Sequence, residues 1–285
     1  MKFLSYRIGA APGIAVEHDG RFKGLAQGQS GYPGELIDLI RSGSAAMTAA
    51  GEALARHGHD VDLDSVTVLP PVIPTKIVCV GLNYADHASE SNMEPPALPT
   101  IFSRFASTLV GPYDPILLPR VSAALDFEGE LAVVIGTRGR YIAKPDALDH
   151  VAGYSVFNDA TIRDYQLRTP QWTIGKNFDG TGPFGPVLAT ADALPPGASG
   201  LAIETRLNGE VMQRSKTDQL IFDVATLIAT VSEAMTLEPG DVIITGTPAG
   251  VGAARKPPRF MVAGDVCEVE IEGIGTIVNR IASDA

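Results

Sequence analysis

The chain has 285 residues, with 22 Lys and Arg against 33 Asp and Glu (a formal charge of −11), 30 Gly and 21 Pro. That length can bury a full core, as one large domain or a large domain with a small one, and the turn-forming composition favours a β-rich fold over a helical bundle. The acidity, with no basic stripe, speaks against nucleic acid and anionic membrane surfaces as partners, so an anionic substrate would need a metal or a few placed Arg and Lys.

The N-terminus, Met1-Lys2-Phe3-Leu4-Ser5-Tyr6-Arg7, lacks the apolar run of a signal peptide. No stretch reaches the roughly 18 apolar residues of a membrane helix. A soluble, cytoplasmic protein is expected. Residues 1–70 read as a small α+β unit. Phe3 to Ile8, Gly13 to Glu17 and Arg21 to Leu25 are short strands with a turn at Asp19-Gly20, and Leu36 to Ile40 and Ala45 to Arg56 are helices. His57-Gly58-His59 reads as surface. Leu69-Pro70-Pro71-Val72-Ile73-Pro74 removes backbone donors and forces extended chain, which places a boundary between residues 1–70 and 71–285.

Beyond it strands dominate. Ile77 to Val80 leads into Gly81-Leu82-Asn83-Tyr84-Ala85-Asp86-His87-Ala88-Ser89-Glu90. On a helix, His87 and Glu90 share a face, and a carboxylate beside an imidazole makes a general base; the bland alternative is a surface histidine. Leu125-Asp126-Phe127-Glu128-Gly129-Glu130-Leu131-Ala132-Val133-Val134-Ile135 reads as one strand, with Asp126, Glu128 and Glu130 on one face. Three like charges beside an apolar strand end ask for a hard cation or open water. Glu128 and Glu130, about 7 Å apart along a strand, can both reach one ion. A third ligand has its best candidate in Gly153 to Asp164, where Asp159 is otherwise a helix N-cap.

Gly180, Gly182 and Gly185 form a formal G-x-G-x-x-G, but Pro183 and Pro186 delete donors and no helix follows, so a dinucleotide site is rejected. Just before it, Lys176 is a cation able to meet a carboxylate substrate, or else an ordinary surface lysine. Leu220, Ile221, Val224, Leu227, Ile228, Val231 and Met235 repeat at helical spacing. Asp218 is the expected N-cap and Glu238-Pro239-Gly240 the end. Asp241 to Thr245 is a strand, and small residues in Thr245-Gly246-Thr247-Pro248-Ala249-Gly250-Val251-Gly252 let backbone approach a ligand or make a tight turn. Val266 to Ile271 is a strand whose Glu268, Glu270 and Glu272 form a second acidic face, so alternating carboxylates alone do not specify a metal. Cys79 and Cys267 sit in apolar strand-like runs and read as buried thiols, with no zinc pattern.

Taken in order, Gly81-Leu82-Asn83-Tyr84 with His87 and Glu90, Asp126 to Gly136, Asn158-Asp159 with Arg163-Asp164, Gly175-Lys176 and Thr245-Gly246-Thr247-Pro248 resemble the fumarylacetoacetate hydrolase family over roughly residues 70–280. The resemblance implies a β-rich α+β fold, a mixed β-sandwich roll with a small N-terminal α+β domain, in a homodimer. It implies Mg²⁺ or Mn²⁺ on Glu128, Glu130 and Asp159, leaving Asp126 out. It implies a His87–Glu90 dyad on a mobile lid that activates water, with Lys176 also catalytic. It places Arg163, Gln166, Lys176 and Thr247 against a small 2-oxo acid. Arg104 stands where many relatives carry lysine; it is taken as a further substrate contact, and leaves the substrate's identity open.

The implied reaction is hydrolysis of a C–C bond in an acylpyruvate, such as a fumarylpyruvate- or fumarylacetoacetate-like acid, by way of a metal-bound pyruvate enolate. Decarboxylation of oxaloacetate yields the same enolate without an attacking water, and dehydration of a 2-oxo-3-deoxy sugar acid is a third option. A metal-stabilised binding protein without turnover is the non-enzyme alternative.

Overall fold

In the computed structural model, residues 1–90, 94 and 96–284 are described. The fold is sheet-rich and mixed α+β, as expected. A twelve-stranded sheet runs, in spatial order, through His59–Asp60, Arg21–Ala26, Ala11–His18, Lys2–Ile8, Gly182–Thr190, Val151–Asn158, Gly129–Ile135, Val242–Ile244, Ile77–Gly81 and Thr100–Arg104; Thr67–Val68 pairs with Lys2–Ile8 and Leu109–Val110 with Gly182–Thr190. A five-stranded sheet runs through Glu210–Lys216, Ala202–Leu207, Val266–Ile271, Gly275–Ser283 and Ile116–Leu118. Val133, Val156 and Leu131 of the first sheet meet Ile203, Val269 and Ile277 of the second in one buried core, the layered solution by which two half-apolar sheets hide their inner faces.

The strands and helices of residues 1–70 lie where the sequence places them, within a few residues. Hydrogen bonding, however, crosses the boundary at residue 70: Lys2–Ile8 pairs antiparallel with Gly182–Thr190, with Phe3 opposite Leu188. Phe3, Ile14 and Leu54 share a core with Phe184, Val242 and Ile244.

The long helix is Val224–Ala234, and its cap is Asp223 rather than Asp218: the Asp223 carboxylate accepts the Thr226 N–H at 2.7 Å. The expected start fails because Asn83 holds residues 221 and 222 out of the helix. Its carbonyl oxygen accepts the Ile221 N–H at 2.8 Å and its side-chain oxygen the Phe222 N–H at 2.7 Å. The acidic face of Val266–Ile271 is held by Arg206, which bonds Glu268 at 3.2 Å and Glu270 at 2.9 Å. No helix among the described residues is long and apolar enough to cross a membrane. Both cysteines are buried and unpaired, and burial pushes the Cys267 thiol up to about 12.

Candidate active site

The acidic stretch is not one strand. Leu125–Asp126 pairs with Thr161–Ile162, and a new strand, Gly129–Ile135, pairs with Val151–Asn158. Glu128 lies in the jog between them. Its N–H goes to the Asn158 side chain at 3.0 Å, and its carbonyl oxygen accepts the Asp159 N–H at 2.8 Å. The register that sets Gly129 opposite Asn158 therefore brings the next residue, Asp159, to Glu128 and Glu130. Carboxylate oxygens of Glu128, Glu130 and Asp159 lie within 4.8 Å of one another, and all three residues are buried. Asp126 directs its oxygens to Arg163 and to the backbone N–H groups of Phe127, Gly252 and Ala253.

Three cations meet this cluster. Lys176, on the short helix Thr173–Lys176, places Nζ 2.6 Å from Glu128 Oε2 and 2.6 Å from Asp159 Oδ2. It is 2% exposed and so no surface lysine. Arg163 bonds Glu128 through Nη1 at 2.6 Å and Asp126 through Nε at 2.8 Å, and donates to Gln166 Oε1 at 3.0 Å; its buried Nη2 has no partner among the described residues.

Arg104 departs from its expected role as a substrate contact. It is buried behind Asp159, with donors directed to Asp159 Oδ1 (2.5 Å), the Ala160 carbonyl (3.1 Å), Thr181 Oγ1 (2.7 Å) and Thr108 Oγ1 (3.3 Å). Strand Thr100–Arg104 points it inward, and all three of its guanidinium nitrogens donate.

Four carboxylates thus face three cations. Asp126, Glu128 and Asp159 each have a cationic partner, while among the described residues Glu130 accepts only the Gly246 N–H. Burial, followed by the charges of Asp159 and Glu128, pushes Glu130 well above the ordinary carboxylate range; Lys176 and Gly246 offset this only in part. Burial also works against charge on Glu128, but Lys176 and Arg163 outweigh it and hold that carboxyl at about 2. A buried, all-oxygen donor set short of positive charge suits a hard divalent ion. The residues therefore fit Mg²⁺ or Mn²⁺.

His87 and Glu90 come together on helix Ala85–Glu90. His87 Nδ1 lies 3.6 Å from Glu90 Oε2, a contact rather than a hydrogen bond, and that buried nitrogen has no other partner among the described residues. Both Glu90 oxygens accept the Gly250 N–H at 3.0 Å. Burial disfavours the Glu90 charge, yet His87 and Gly250 outweigh it and its carboxyl is held below the usual range. Residues 91–93 and 95, which follow this helix in the chain, lie outside the described residues.

The small residues after Val242–Ile244 bring backbone donors up to carboxylates. Gly246 N–H caps Glu130, Gly250 N–H caps Glu90 and Gly252 N–H caps Asp126. At Gly252 a Cβ would lie 2.6 Å from Asp126 Oδ1 and 2.0 Å from the Arg259 carbonyl oxygen, so only glycine lets the backbone come this close. Thr247 donates to the Gly129 carbonyl at 3.0 Å and accepts from Gln213 at 2.8 Å. Gln213 was not anticipated. It also takes the Gly129 N–H at 3.0 Å, and its signal was only a lone amide in strand Glu210–Lys216.

These groups line a cavity of about 820 Å³. Glu128, Glu130, Arg163, Gln166, Lys176 and Thr247 face it together with His87 and Glu90; Phe102, Trp172, Leu82 and Val251 give it apolar walls, and Arg255 and Lys256 join them. Asp159 and Arg104 are not among its lining residues.

A family model described as fumarylacetoacetate (FAA) hydrolase C-terminal matches residues 76–282. The relatives include "Oxaloacetate tautomerase FAHD2A, mitochondrial" from Bos taurus, 45% identical over 281 residues that span 95% of this chain and 89% of that protein. A fumarylacetoacetate hydrolase structure from Exiguobacterium antarcticum superposes with a TM-score of 0.87 at 39% identity, covering 100% of both chains. Maleylpyruvate hydrolase from Sphingobium sp. SYK-6, solved with manganese(II) and pyruvate, superposes with a TM-score of 0.82 at 29% identity, again over 100% of both chains.

Proposed function

The chain belongs to the fumarylacetoacetate hydrolase family, and on that premise we propose that it is a Mg²⁺- or Mn²⁺-dependent enzyme of 2-oxo acids that interconverts the keto and enol forms of oxaloacetate. One observation carries this reading: His87, whose Nδ1 faces Glu90 at 3.6 Å, lines the same cavity as the carboxylates of Glu128 and Glu130. An acid–base group then stands beside a place where a 2-oxo acid can be held. The 45% identical oxaloacetate tautomerase supports the choice of reaction.

In this reading Glu128, Glu130 and Asp159 would hold the ion, which would draw electron density from a keto oxygen and ease loss of the neighbouring C3 proton. Arg163, on the cavity wall, would meet the substrate carboxylate, with Gln166 fixing the guanidinium. Lys176 adds positive charge at the floor, and Thr247 shapes the wall. A proton on His87 Nδ1 faces Glu90, so Nε2 is the basic nitrogen that removes the C3 proton and returns it to the enol oxygen or to carbon. Arg104 positions Asp159 and touches no substrate.

A second reading is hydrolysis of an acylpyruvate. The same His87 would then deprotonate water, the water oxygen would bond to the acyl carbon, and the C–C electron pair would leave as pyruvate enolate. The cavity volume and the 29% identical maleylpyruvate hydrolase favour it. Decarboxylation of oxaloacetate gives the same enolate with CO₂ as the other product. The homodimer and the cytoplasmic location belong to this proposal, and light scattering and cell fractionation test them.

The deciding experiment measures enol-oxaloacetate ketonisation and pyruvate release from acetylpyruvate, with Mn²⁺, for the wild type and His87→Ala. Loss of roughly 100-fold or more in ketonisation is expected, the scale of a general acid–base group, with Mn²⁺ binding retained. Undiminished ketonisation in His87→Ala overturns the tautomerase assignment. Pyruvate release that His87→Ala abolishes favours the hydrolase.

A further inference from the structure

Trp172 is the single tryptophan of the chain and lies half-buried on the wall of the cavity. Its carbonyl oxygen accepts the Lys176 N–H at 3.2 Å, so the indole and the buried ammonium stand at the two ends of one turn, on the short helix Thr173–Lys176. The indole meets Phe102 edge-on, with ring centroids 5.5 Å apart and planes at 71°. Lys176 Nζ lies 5.0 Å from the centroid of that same Phe102 ring. The indole is therefore no farther from the ammonium than these two distances together, a span of the order of a medium-length carbon chain.

The surrounding backbone is shaped to seat this ring. Gly81 ends strand Ile77–Gly81, and a Cβ there would overlap the indole carbons Cζ3 and Cη2. Glycine lets the indole lie against the main chain just where it turns toward His87. Asn177 ties the short helix to the strand that carries Phe102. Its Nδ2 donates to the Ser103 carbonyl at 3.0 Å and to the Thr173 carbonyl at 2.7 Å, and its Oδ1 accepts the Phe105 N–H at 2.7 Å. Neither aromatic ring holds the ion or moves a proton in the reaction described above. An aromatic surface that lines a cavity is instead stabilised by carbon packed against it.

We propose that Trp172 is a specificity-determining residue: with Phe102 it forms an apolar shelf for the carbon chain beyond C3, which widens the substrate class from oxaloacetate to 2-oxo acids bearing an apolar chain. Gly81 is the positioning residue that seats the indole. The inference rests on the 2-oxo acid reading and concerns the part of the substrate that the carboxylates and Arg163 leave untouched. Affinity then rises with chain length, by a factor of about four for each methylene group buried on the shelf.

The test uses the Mg²⁺-loaded protein with pyruvate, 2-oxohexanoate and 2-oxooctanoate. Binding is measured by calorimetry for the wild type, Trp172→Ala, Trp172→Phe and Gly81→Ala. Because Trp172 is the single tryptophan, its emission in the wild type reports on the shelf directly. 2-Oxooctanoate is expected to move that emission to shorter wavelength, and pyruvate to leave it in place. Trp172→Ala is expected to lower the affinity ratio of 2-oxooctanoate to pyruvate about tenfold, the scale of roughly two methylene groups returned to water. Trp172→Phe should keep most of the ratio. Gly81→Ala should lower it with the indole still present but displaced. Equal changes for the long and short acids, or an emission that bound 2-oxooctanoate leaves unmoved, overturn the shelf. The emission measurement decides by itself if Trp172→Ala does not fold. A wild-type protein that binds Mg²⁺ but neither pyruvate nor 2-oxooctanoate overturns the functional reading as well, and is told apart by the missing pyruvate signal.

Discussion

Lys176 Nζ stands 2.6 Å from Glu128 Oε2, a contact that links residues 48 positions apart. The same ammonium reaches Asp159 Oδ2 at 2.6 Å, so it sits between two of the three carboxylates that would hold an ion. A divalent cation held by these carboxylates would compete with this ammonium for the same oxygens. Burial disfavours the Lys176 charge, but Asp159 and Glu128 outweigh it and raise the amine's pKa, so the group stays protonated.

Removing one partner of a buried ion pair costs roughly 3–5 kcal/mol. Lys176→Met is therefore expected to destabilise the ion-free protein by that order. Mn²⁺ should then stabilise the variant more than it stabilises the wild type, since the ion restores the missing charge. Thermal melts with and without Mn²⁺ read both effects. Equal Mn²⁺-induced shifts in the two proteins would contradict the competition.

Asp126 separates anchoring from ligation. Its oxygens are occupied by three backbone N–H groups and Arg163. Asp126→Asn turns an NH₂ toward donors that need an acceptor, and is expected to cost roughly 3 kcal/mol as the broken half of a buried pair. Mn²⁺ affinity should stay within about a factor of a few, because no ion ligand is lost, whereas Glu130→Gln should lose the ion. Urea unfolding and Mn²⁺ titration of both variants check this; a collapse of Mn²⁺ affinity in Asp126→Asn would make Asp126 a ligand.

Arg104 acts through Asp159, with four hydrogen bonds holding that carboxylate and its surroundings in place. Lysine keeps the charge but not the planar fork. Arg104→Lys is expected to weaken Mn²⁺ binding roughly tenfold, the usual cost of disturbing a group that orients a metal ligand. The preference among 2-oxo acids should not change. A shift in substrate preference at unchanged Mn²⁺ affinity would return Arg104 to the substrate side.

The residue types of the site were legible in the sequence because each carries its chemistry locally. Glu128, Glu130 and Asp159 stand at strand ends, and His87 and Glu90 are three apart on a helix. What each charge is paired with was not legible. Lys176, which could be read as a surface lysine, is buried because carboxylates 17 and 48 residues away receive it. Arg104 alternates along its strand like any inward residue, and only the sheet order shows Asp159 behind which it lies. The break at Phe127 and Glu128 was hidden as well, because Asp126 and Gly129 pair with different strands and alternation within one stretch cannot register two partners. The cap at Asp223 escaped for the same reason, since Asn83, far back in the chain, decides where the helix begins.

Asp265 gives a pH prediction away from the site. Its carboxylate accepts from Asn208 Nδ2 at 2.8 Å, from Arg259 Nη2 at 2.9 Å and from the Val262 N–H at 3.0 Å. Burial pushes its pKa up, but these three donors outweigh that and hold the carboxyl below its ordinary value of 3.8. In the unfolded chain the donors are absent and the value returns to about 3.9. A folded-state pKa below the unfolded one contributes stability above the unfolded value, and that contribution is lost as pH falls through the folded value. Asp265→Asn cannot make the same charged bonds and is expected to cost about 1.5–3 kcal/mol near neutral pH, the range for hydrogen bonds to a charged group. The difference from wild type should shrink below about pH 4 as the wild-type carboxylate protonates. Urea unfolding of both proteins between about pH 3 and pH 7 measures it, and a difference independent of pH would show that the carboxylate's charge plays no part.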